Sequence, residues 1–247
     1  MKRAPSARPT LQRRSLSAGE IHVWHSSLDL PAAELDAFED ILGSDELTRA
    51  SRFHREADRA RFIACRGTLR VILSSYLEDS PAALHFSYGT AGKPLLRNTS
   101  GVHPLHFNVS HSQGVAAFAI ARDREVGIDI ERFQPNFAWE EVAAVFFSPH
   151  ERNRLEAQPI EDQYQAFLDV WTAKEACAKA CGEGLSLPFW QLGFSPAQNG
   201  LWTFNPTQEA GERPLWTVQS FTPQVGYTGA LAAKGTGWQM SSAPWPM

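Results

Sequence analysis

The chain has 247 residues, of which 43% are hydrophobic, and its formal net charge is −4. This length suits one large domain or two small ones, and no apolar run approaches the ~20 residues of a membrane span. The net charge argues against a general nucleic-acid binder, so we expect neither a nucleic-acid nor a membrane partner. Three cysteines do not make a disulfide framework, which favours free thiols and a cytoplasmic location.

Both ends of the chain lack the periodicity of packed structure. Residues 1–14 carry five basic residues and no acid, and the Arg13-Arg14 pair is not followed by the apolar stretch of an export signal. We therefore predict a disordered basic tail over residues 1–19. A second loose tail is predicted over residues 241–247, at the end of "GWQMSSAPWPM".

Between these ends the same order of elements occurs twice, at an offset of about 105 to 110 residues. Each copy has a leading strand, a long helix and a hairpin, predicted over 21–28, 59–77 and 104–121 and again over 126–133, 163–182 and 214–233. The alternative to a duplication is that a similar succession of helices and strands recurs in any α/β protein. We predict an α+β fold of two similar halves, 20–124 and 125–240, related by a pseudo-twofold duplication. Each long helix would pack on a small, mostly antiparallel sheet, with the active site at the interface.

The first half contains a cluster of basic residues between positions 47 and 62, which includes Arg49 and Arg61. Acidic residues alternate with the arginines, so a solvated helical face explains most of them. Lys93 follows in "AGKP", a turn between Gly92 and Pro94. Because turns favour Gly and Pro in general, this motif alone is weak evidence of a binding site.

The stretch "FNVSHS", residues 107–112, combines small polar side chains with a histidine. Asn108, Ser110 and Ser112 would share one face of a strand, although we expect the strand to end near Ser110 and to turn through Gly114. Ser110 and His111 are adjacent in the sequence, and adjacent residues seldom face each other as nucleophile and base. Since both side chains donate well to oxyanions, a phosphate-contacting edge is the better interpretation.

The second half begins with "VGIDIERF", which places two carboxylates in a strand. Asp129 and Glu131 lie two positions apart, so their side chains point to the same face. Two like charges side by side repel each other, and burying them is unfavourable unless a cation neutralises them.

The helical stretch "WTAKEACAKACG" carries a third carboxylate. Trp171, Glu175 and Lys179 are four residues apart and share one face. Taken alone, Glu175 and Lys179 fit an ordinary surface ion pair, and Lys174 could be solvated. The helix is expected to stop within "GEGLSLP", where Gly182 and Gly184 are candidate C-caps.

Taken together, two carboxylates on a strand and a third on a helix suit a hard cation such as Mg²⁺. The Ser-His edge and the nearby basic residues suit several phosphate groups. Mg²⁺ typically keeps some waters and bridges phosphate oxygens. The sequence therefore predicts that Asp129 and Glu131 tolerate each other because a divalent cation lies against them.

The motifs "GKP", "FNVSHS", "GIDIE", "FFS...E", "WTAKEACAK" and "GEGLSLP", in this order between residues 92 and 188, resemble one known family. It is the 4'-phosphopantetheinyl transferases of the larger, surfactin-synthetase-activating type. These enzymes are pseudodimers of two similar halves, so the resemblance implies a chain that acts as a monomer. They move phosphopantetheine from coenzyme A to a serine hydroxyl of an apo carrier protein and release adenosine 3',5'-bisphosphate.

The resemblance also implies roles for individual residues. Asp129, Glu131 and Glu175 would hold Mg²⁺ on the coenzyme A pyrophosphate, and Glu175 or a water that it positions would take the serine proton. Lys179 would stabilise charge on the transferring group. The coenzyme A contacts would come from Ser110, His111, Lys174, Lys179 and Lys93, with Arg49 and Arg61 as looser matches at the nucleotide end.

The sequence departs from the family's pattern in two places, and two other functions are compatible with its residues. Position 183 is Glu where some relatives carry Lys, and the arginines have no nearby motif to anchor them. A metal-dependent phosphohydrolase or nuclease would use the same acids. A non-catalytic binding module is the other alternative, against which the intact acid and lysine set argues. The choice of carrier protein is left open, and its docking surface is expected near residues 146–157 and the following helix.

Overall fold

The structure is a computed structural model. It describes residues 13–89, 92–97, 104–122, 124–182, 193–196, 201–205 and 216–246. Glu183 and residues 1–12 lie outside these ranges, as does Met247. The cysteines at 65, 177 and 181 are free. Within the described part of the chain, no helix combines the length and apolar character that crossing a membrane requires.

The elements alternate between helices and strands along the chain. The helices are α1 (Ala32–Glu39), α2 (Ser44–Ala50), α3 (Glu56–Tyr76), α4 (Trp139–Phe146), α5 (Pro149–Glu156) and α6 (Ile160–Cys181), with a short 3₁₀ turn at Pro81–Ala83. The strands before the chain midpoint are β1 (Glu20–Ser27), β2 (Phe86–Tyr88), β3 (Pro94–Leu96), β4 (Leu105–Ser112) and β5 (Val115–Arg122). The later strands are β6 (Val126–Arg132), β7 (Gly193–Pro196), β8 (Leu201–Asn205), β9 (Trp216–Phe221), β10 (Tyr227–Lys234) and β11 (Gln239–Pro244).

The chain divides into two compact units, and the first, the helical unit, comprises residues 1–16 and 28–85. Its long helix α3 contacts α1, α2 and the 3₁₀ turn. Leu42, Ala50 and Ile63 form a small apolar core there.

A buried ionic cluster joins α2 to α3 within the helical unit. Glu46 is 1% exposed, and its carboxylate accepts hydrogen bonds from Arg66 at 2.5 Å, Arg70 at 2.7 Å and the Gly43 backbone N–H at 2.9 Å. Arg70 also donates to the carbonyl oxygens of Pro81 and Leu84. Because the buried charges are paired and hydrogen-bonded, this cluster fixes the start of α2 against α3 and the 3₁₀ turn.

The second unit, the sheet unit, comprises residues 17–27 and 86–247. One sheet has the strand order β11-β1-β5-β4, and the other has the order β6-β10-β9-β8-β7. A third, two-stranded sheet pairs β2 with β3. The order β1-β5-β4 recurs as β6-β10-β9, with a leading strand beside the second strand of a hairpin in both cases. The predicted α+β fold class is confirmed, and the repeated strand order is the repeat read from the sequence.

Helix α6 lies against β6, β10 and β9. Small side chains of the helix, including Ala176 and Ala180, pack on Ala230 and Ala232 of β10. Gly127 permits this close approach, because a Cβ atom there would overlap the carbonyl oxygen of Ala176 and the nitrogen of Ala180. The helix ends as predicted at Gly182, whose φ of 77° is left-handed and favours glycine.

Helix α5 repeats the ionic arrangement of the helical unit. Glu151 caps the start of α5 by accepting the Ser148 backbone N–H at 2.8 Å, as Glu46 accepts that of Gly43. Lys174 of α6 pairs with Glu151 at 2.9 Å. A capping glutamate bonded to a buried cation of a long helix therefore occurs in both parts of the chain, which supports the duplication.

The two predicted tails are partly wrong. Leu16 is buried and the Arg14 backbone N–H donates to the Ser75 carbonyl oxygen, so residues 13–19 are attached to folded structure. Residues 241–244, expected to be a loose tail, belong to β11, which pairs in parallel with β1. The pairing runs from Glu20 opposite Gln239 to His25 opposite Pro244. Backbone hydrogen bonds order both segments, although neither has an amphipathic pattern.

Candidate active site

The site is built within the sheet unit from β4, β6 and α6. Strand alternation puts Ile128 and Ile130 into an apolar core and turns Asp129 to the other face, where α6 lies. Asp129 is only 3% exposed. Its Oδ1 accepts hydrogen bonds from Lys179 and Ser110, while its buried Oδ2 has no partner among the described residues. A buried carboxylate oxygen without a protein donor is a place where an ordered water or a cation is expected.

Ser110 lies at the centre of these contacts. Its hydroxyl donates to Asp129 Oδ1 at 2.8 Å and accepts from Lys179 Nζ at 3.0 Å and the Ile130 N–H at 3.4 Å. One donor and two acceptor sites are all that a hydroxyl offers. Ser110 therefore orients the carboxylate and the lysine in this structure, and the predicted phosphate contact would require a rearrangement.

Glu131 is the second carboxylate on this face. Its Oε2 accepts a hydrogen bond from Ser112 at 2.8 Å. Burial raises the pKa of Glu131, and repulsion from Asp129 raises it further, while hydrogen bonds from Ser112 and Trp171 act in the opposite direction. The two strand carboxylates therefore destabilise each other in the ionised form, as the sequence predicted.

Glu175 approaches the pair from α6. Burial raises the pKa of this carboxyl group to about 7, and Asp129 and Glu131 contribute in the same direction, while Lys179 opposes them. The negative charges of both strand carboxylates therefore repel an ionised Glu175. A carboxyl group with a pKa near neutrality is suited to exchanging protons at physiological pH.

Lys179 is the cation of this cluster. Its Nζ lies 2.6 Å from Asp129 Oδ1, and its side chain is 28% exposed. Lys179 therefore reaches across to the strand and forms its ion pair with Asp129, in place of the surface pair with Glu175 that the helical spacing suggested. Lys179 thus already neutralises part of the charge of the acids, a role that the sequence assigned to a divalent cation alone.

The chemistry of this site fits a divalent cation, although its side chains do not yet converge on one point. Among the described residues, no three His, Cys, Asp or Glu side chains are arranged as metal ligands. The fit rests on the unpartnered Asp129 Oδ2 and on three carboxylates that repel each other. Hard oxygen donors of this kind suit Mg²⁺. To bind it, the side chains would have to turn towards one point and Lys179 would have to leave Asp129.

Lys174 is not part of this cluster, and the prediction that it could be solvated is wrong; its coenzyme A contact stays a prediction. The side chain is fully buried and pairs with Glu151 at 2.9 Å, with Nζ 5.2 Å from the ring centroid of Phe147. The side chains of neighbouring helical residues point about 100° apart, so Lys174 and Glu175 lie on different faces of α6. Lys174 holds α5 against α6.

The other predicted contacts are dispersed. Lys93 donates to the carbonyl oxygens of Val126 at 3.1 Å and Lys179 at 2.8 Å, and so ties the start of β6 to the last turns of α6. His111 is exposed on β4, which continues to Ser112 and not only to Ser110. In the helical unit, Arg61 forms a two-bond ion pair with Asp29, and Arg49 lies over the ring of Phe62.

Two residues of the site received no role from the sequence. Ser112 bonds to Glu131, and Asn108 accepts the Ile128 backbone N–H at 2.8 Å. The signal was present, because Asn108, Ser110 and Ser112 alternate along one strand face. Their partners could not be read, since nothing in the sequence shows that β4 runs beside β6.

Comparison with known proteins identifies the family. A family model described as the 4'-phosphopantetheinyl transferase superfamily matches residues 125–232, and one described as 4'-phosphopantetheinyl transferase, N-terminal, matches residues 29–122. The chain is 36% identical over 226 residues to "4'-phosphopantetheinyl transferase HetI" of Nostoc sp., which covers 91% of this chain and 92% of that protein. The chain belongs to the 4'-phosphopantetheinyl transferase superfamily.

Two further relatives support this assignment. A "Putative 4'-phosphopantetheinyl transferase slr0495" of Synechocystis is 34% identical, over 80% of this chain and 78% of that protein. "4'-phosphopantetheinyl transferase Sfp" of Bacillus subtilis is 30% identical, over 64% of this chain and 68% of its own length. The enzyme described here is thus a phosphopantetheinyl transferase, as the motifs indicated.

The raised pKa of Glu175 predicts how the stability of the metal-free transferase depends on pH. The ordinary pKa of 4.5 applies to the unfolded chain, and burial raises it to about 7 in the folded chain. Between these values the folded chain holds more protons, so the free energy of unfolding should fall as pH rises and level off above about pH 7. Urea unfolding in chelator at several pH values measures this. Glu175→Gln should flatten the profile, and an unchanged profile would contradict the assignment.

The contact between Lys179 and Asp129 predicts competition with divalent cations. Without coenzyme A, Lys179→Met should bind Mn²⁺ more tightly, by roughly tenfold, because an ammonium group contributing about 1.4 kcal/mol at Asp129 is gone. Titration followed by electron paramagnetic resonance measures the affinity. Lys234→Met, which removes an exposed lysine paired with Glu125 at 3.9 Å, is the matched control. Equal affinities in wild type and Lys179→Met would rule out competition.

Proposed function

We propose that this transferase moves 4'-phosphopantetheine from coenzyme A to a serine hydroxyl of an apo carrier protein. The serine oxygen forms a bond to the phosphorus that carries pantetheine, and the bond from that phosphorus to adenosine 3',5'-bisphosphate breaks. The observation that carries this proposal is a set of three mutually repelling carboxylates, Asp129, Glu131 and Glu175, in which one oxygen of Asp129 has no partner and the other is bonded by Lys179.

The acids would act as a set. Asp129, Glu131 and Glu175 would hold Mg²⁺, which when bound supplies charge stabilisation to the pyrophosphate oxygens. Glu175, or a water that it positions, would take the proton of the attacking serine, and its pKa of about 7 suits that exchange.

Lys179 would change partner during the reaction. In the structure its Nζ is bonded to Asp129 and Ser110. With Asp129 engaged in holding a cation, the ammonium group of Lys179 would be available to stabilise negative charge on the transferring phosphoryl group and on the leaving group. Without the hydrogen bond from Lys179, the Ser110 hydroxyl could form a different hydrogen bond. A bond to a phosphate group would agree with the contact that the "FNVSHS" motif implies.

The carrier protein would dock on α5 and α6, the region that the sequence suggested. A cavity of about 190 Å³ lies between these helices. Its lining includes the apolar side chains of Leu155, Ala166 and Val170 together with Arg154. The apolar part of this lining suits an apolar anchor on a carrier domain, while Arg154 could pair with an acid beside that anchor; Glu151 and Asp169 also line the cavity. Which carriers are used, those of fatty-acid, polyketide or nonribosomal peptide synthesis, is a question for the assay.

The deciding experiment incubates the enzyme with coenzyme A, Mg²⁺ and a panel of purified apo carrier proteins. Mass spectrometry should show the gain of one phosphopantetheine arm on at least one carrier, and excess chelator should prevent it. A carrier whose acceptor serine is replaced by alanine should gain nothing. Cleavage of coenzyme A without any carrier modification would instead favour a phosphohydrolase.

A further inference from the structure

Strands β4 and β6 lie side by side although they belong to different sheets. Three backbone N–H groups of β6 are bonded by side-chain oxygens of β4 and not by its carbonyl groups. The pairs are Ile128 with Asn108 at 2.8 Å, Ile130 with Ser110 at 3.4 Å and Arg132 with Ser112 at 3.2 Å. We call this row of bonds the seam. In the seam, side-chain oxygens take the place of the backbone carbonyl groups of a ladder. Because these side chains have further donor or acceptor sites, they can also bond neighbouring side chains.

The seam encloses the segment that carries the strand carboxylates. Its bonds fall immediately before Asp129, between Asp129 and Glu131, and immediately after Glu131. This backbone is therefore held on both sides of each carboxylate. Like Ser110, which bonds Asp129, Ser112 also bonds a carboxylate: its hydroxyl accepts the Arg132 N–H and donates its own proton to Glu131 Oε2 at 2.8 Å. Ser112 thus fixes the strand and the carboxylate orientation at once.

We propose that Ser112 is a positioning residue for the transfer reaction, an inference that rests on the proposed function. The hydroxyl restrains one oxygen of Glu131 on the strand face that also carries Asp129, so the carboxylate has less far to turn before the two can share a divalent cation. Ser112 is 8% exposed, and its donor and one acceptor site are already used by Glu131 and Arg132. It acts through Glu131 and does not itself touch the substrate. Partners that orient metal-ligating carboxylates typically change metal affinity or activity by about 10–100-fold when they are removed.

The test uses the full-length enzyme with Mn²⁺ as the probe. Ser112→Ala should weaken Mn²⁺ binding by about tenfold, measured by electron paramagnetic resonance, because Glu131 loses its orienting donor. Transfer should fall by a similar factor at limiting Mg²⁺ and return towards the wild-type rate at saturating Mg²⁺. Ser112→Thr keeps the hydroxyl and should restore affinity. If the alanine variant does not fold, Ser112→Cys, which keeps the size but donates weakly, replaces it.

Thr217→Val is the matched control. Thr217 is a buried hydroxyl of β9 in the same unit, and it donates to the Gly235 carbonyl oxygen at 2.7 Å and accepts from Trp238 at 2.6 Å. Its loss should lower the melting temperature and leave the Mn²⁺ affinity unchanged. Wild-type Mn²⁺ affinity in Ser112→Ala, or equal weakening in Thr217→Val, would overturn the positioning role while the transferase reaction stands. A wild-type enzyme that transfers without any divalent cation would overturn the metal assignment and this inference with it.

Discussion

Asp129→Asn is expected to lower the rate of phosphopantetheine transfer by roughly 10³-fold, since several kcal/mol of transition-state stabilisation is lost with a metal ligand and each 1.36 kcal/mol is a factor of ten. The asparagine keeps the size of the side chain and can still accept hydrogen bonds from Ser110 and Lys179. It loses the charge to which a cation would bind. Single-turnover transfer at saturating coenzyme A measures the effect.

Stability should change little in Asp129→Asn. The variant loses the ion pair with Lys179, whose side chain is partly exposed, but it also relieves the repulsion that raises the pKa values of Glu131 and Glu175. Urea unfolding checks this balance. Glu125→Gln is the matched control, because it removes a half-exposed carboxylate one position before β6. Near-wild-type transfer by Asp129→Asn would remove this residue from the metal site.

Glu175→Gln is expected to slow transfer by roughly 10²-fold or more, the usual scale for losing a general base. The substitution preserves length and helix propensity and removes both a ligand charge and the group whose pKa is raised to about 7. Above pH 7 the folded wild type carries the full repulsion of three carboxylates, so the variant should be as stable or more stable there. Transfer assays and urea unfolding on the same protein separate rate from stability.

Glu161→Gln is the control for that experiment. Glu161 is exposed in the first turn of α6 and lies away from β6 along the helix. Its replacement should leave transfer unchanged. If Glu175→Gln transfers as fast as Glu161→Gln, Glu175 is an ordinary helix residue and the proposed base must be sought elsewhere.

The sequence predicted those parts of the site that depend on local periodicity. The two-residue alternation of Asp129 and Glu131 puts both on one strand face, and the four-residue spacing of Glu175 and Lys179 puts both on one helix face. The repeated order of elements predicted the α+β fold. These features need no knowledge of which elements become neighbours in space.

The parts that could not be predicted depend on long-range partners. Lys174 adjoins Glu175 in the sequence, but its role is set by Glu151, which belongs to another helix. Lys179 matches a surface pair at helical spacing, and only the approach of β6 makes Asp129 its partner. Segment 239–244 is mostly exposed and lacks alternation, so its strand exists only because β1 offers an edge.

The parallel pairing of β11 with β1 has a consequence for synthesis of the chain. Residue 20 emerges from the ribosome long before residue 239, so β1 must wait for almost the whole polypeptide before its outer edge is covered. An unpaired strand edge is a template for association with other chains. A nascent or prematurely terminated product that ends before Gln239 would therefore expose this edge, which makes β11 a protection against aggregation and a poor segment to delete.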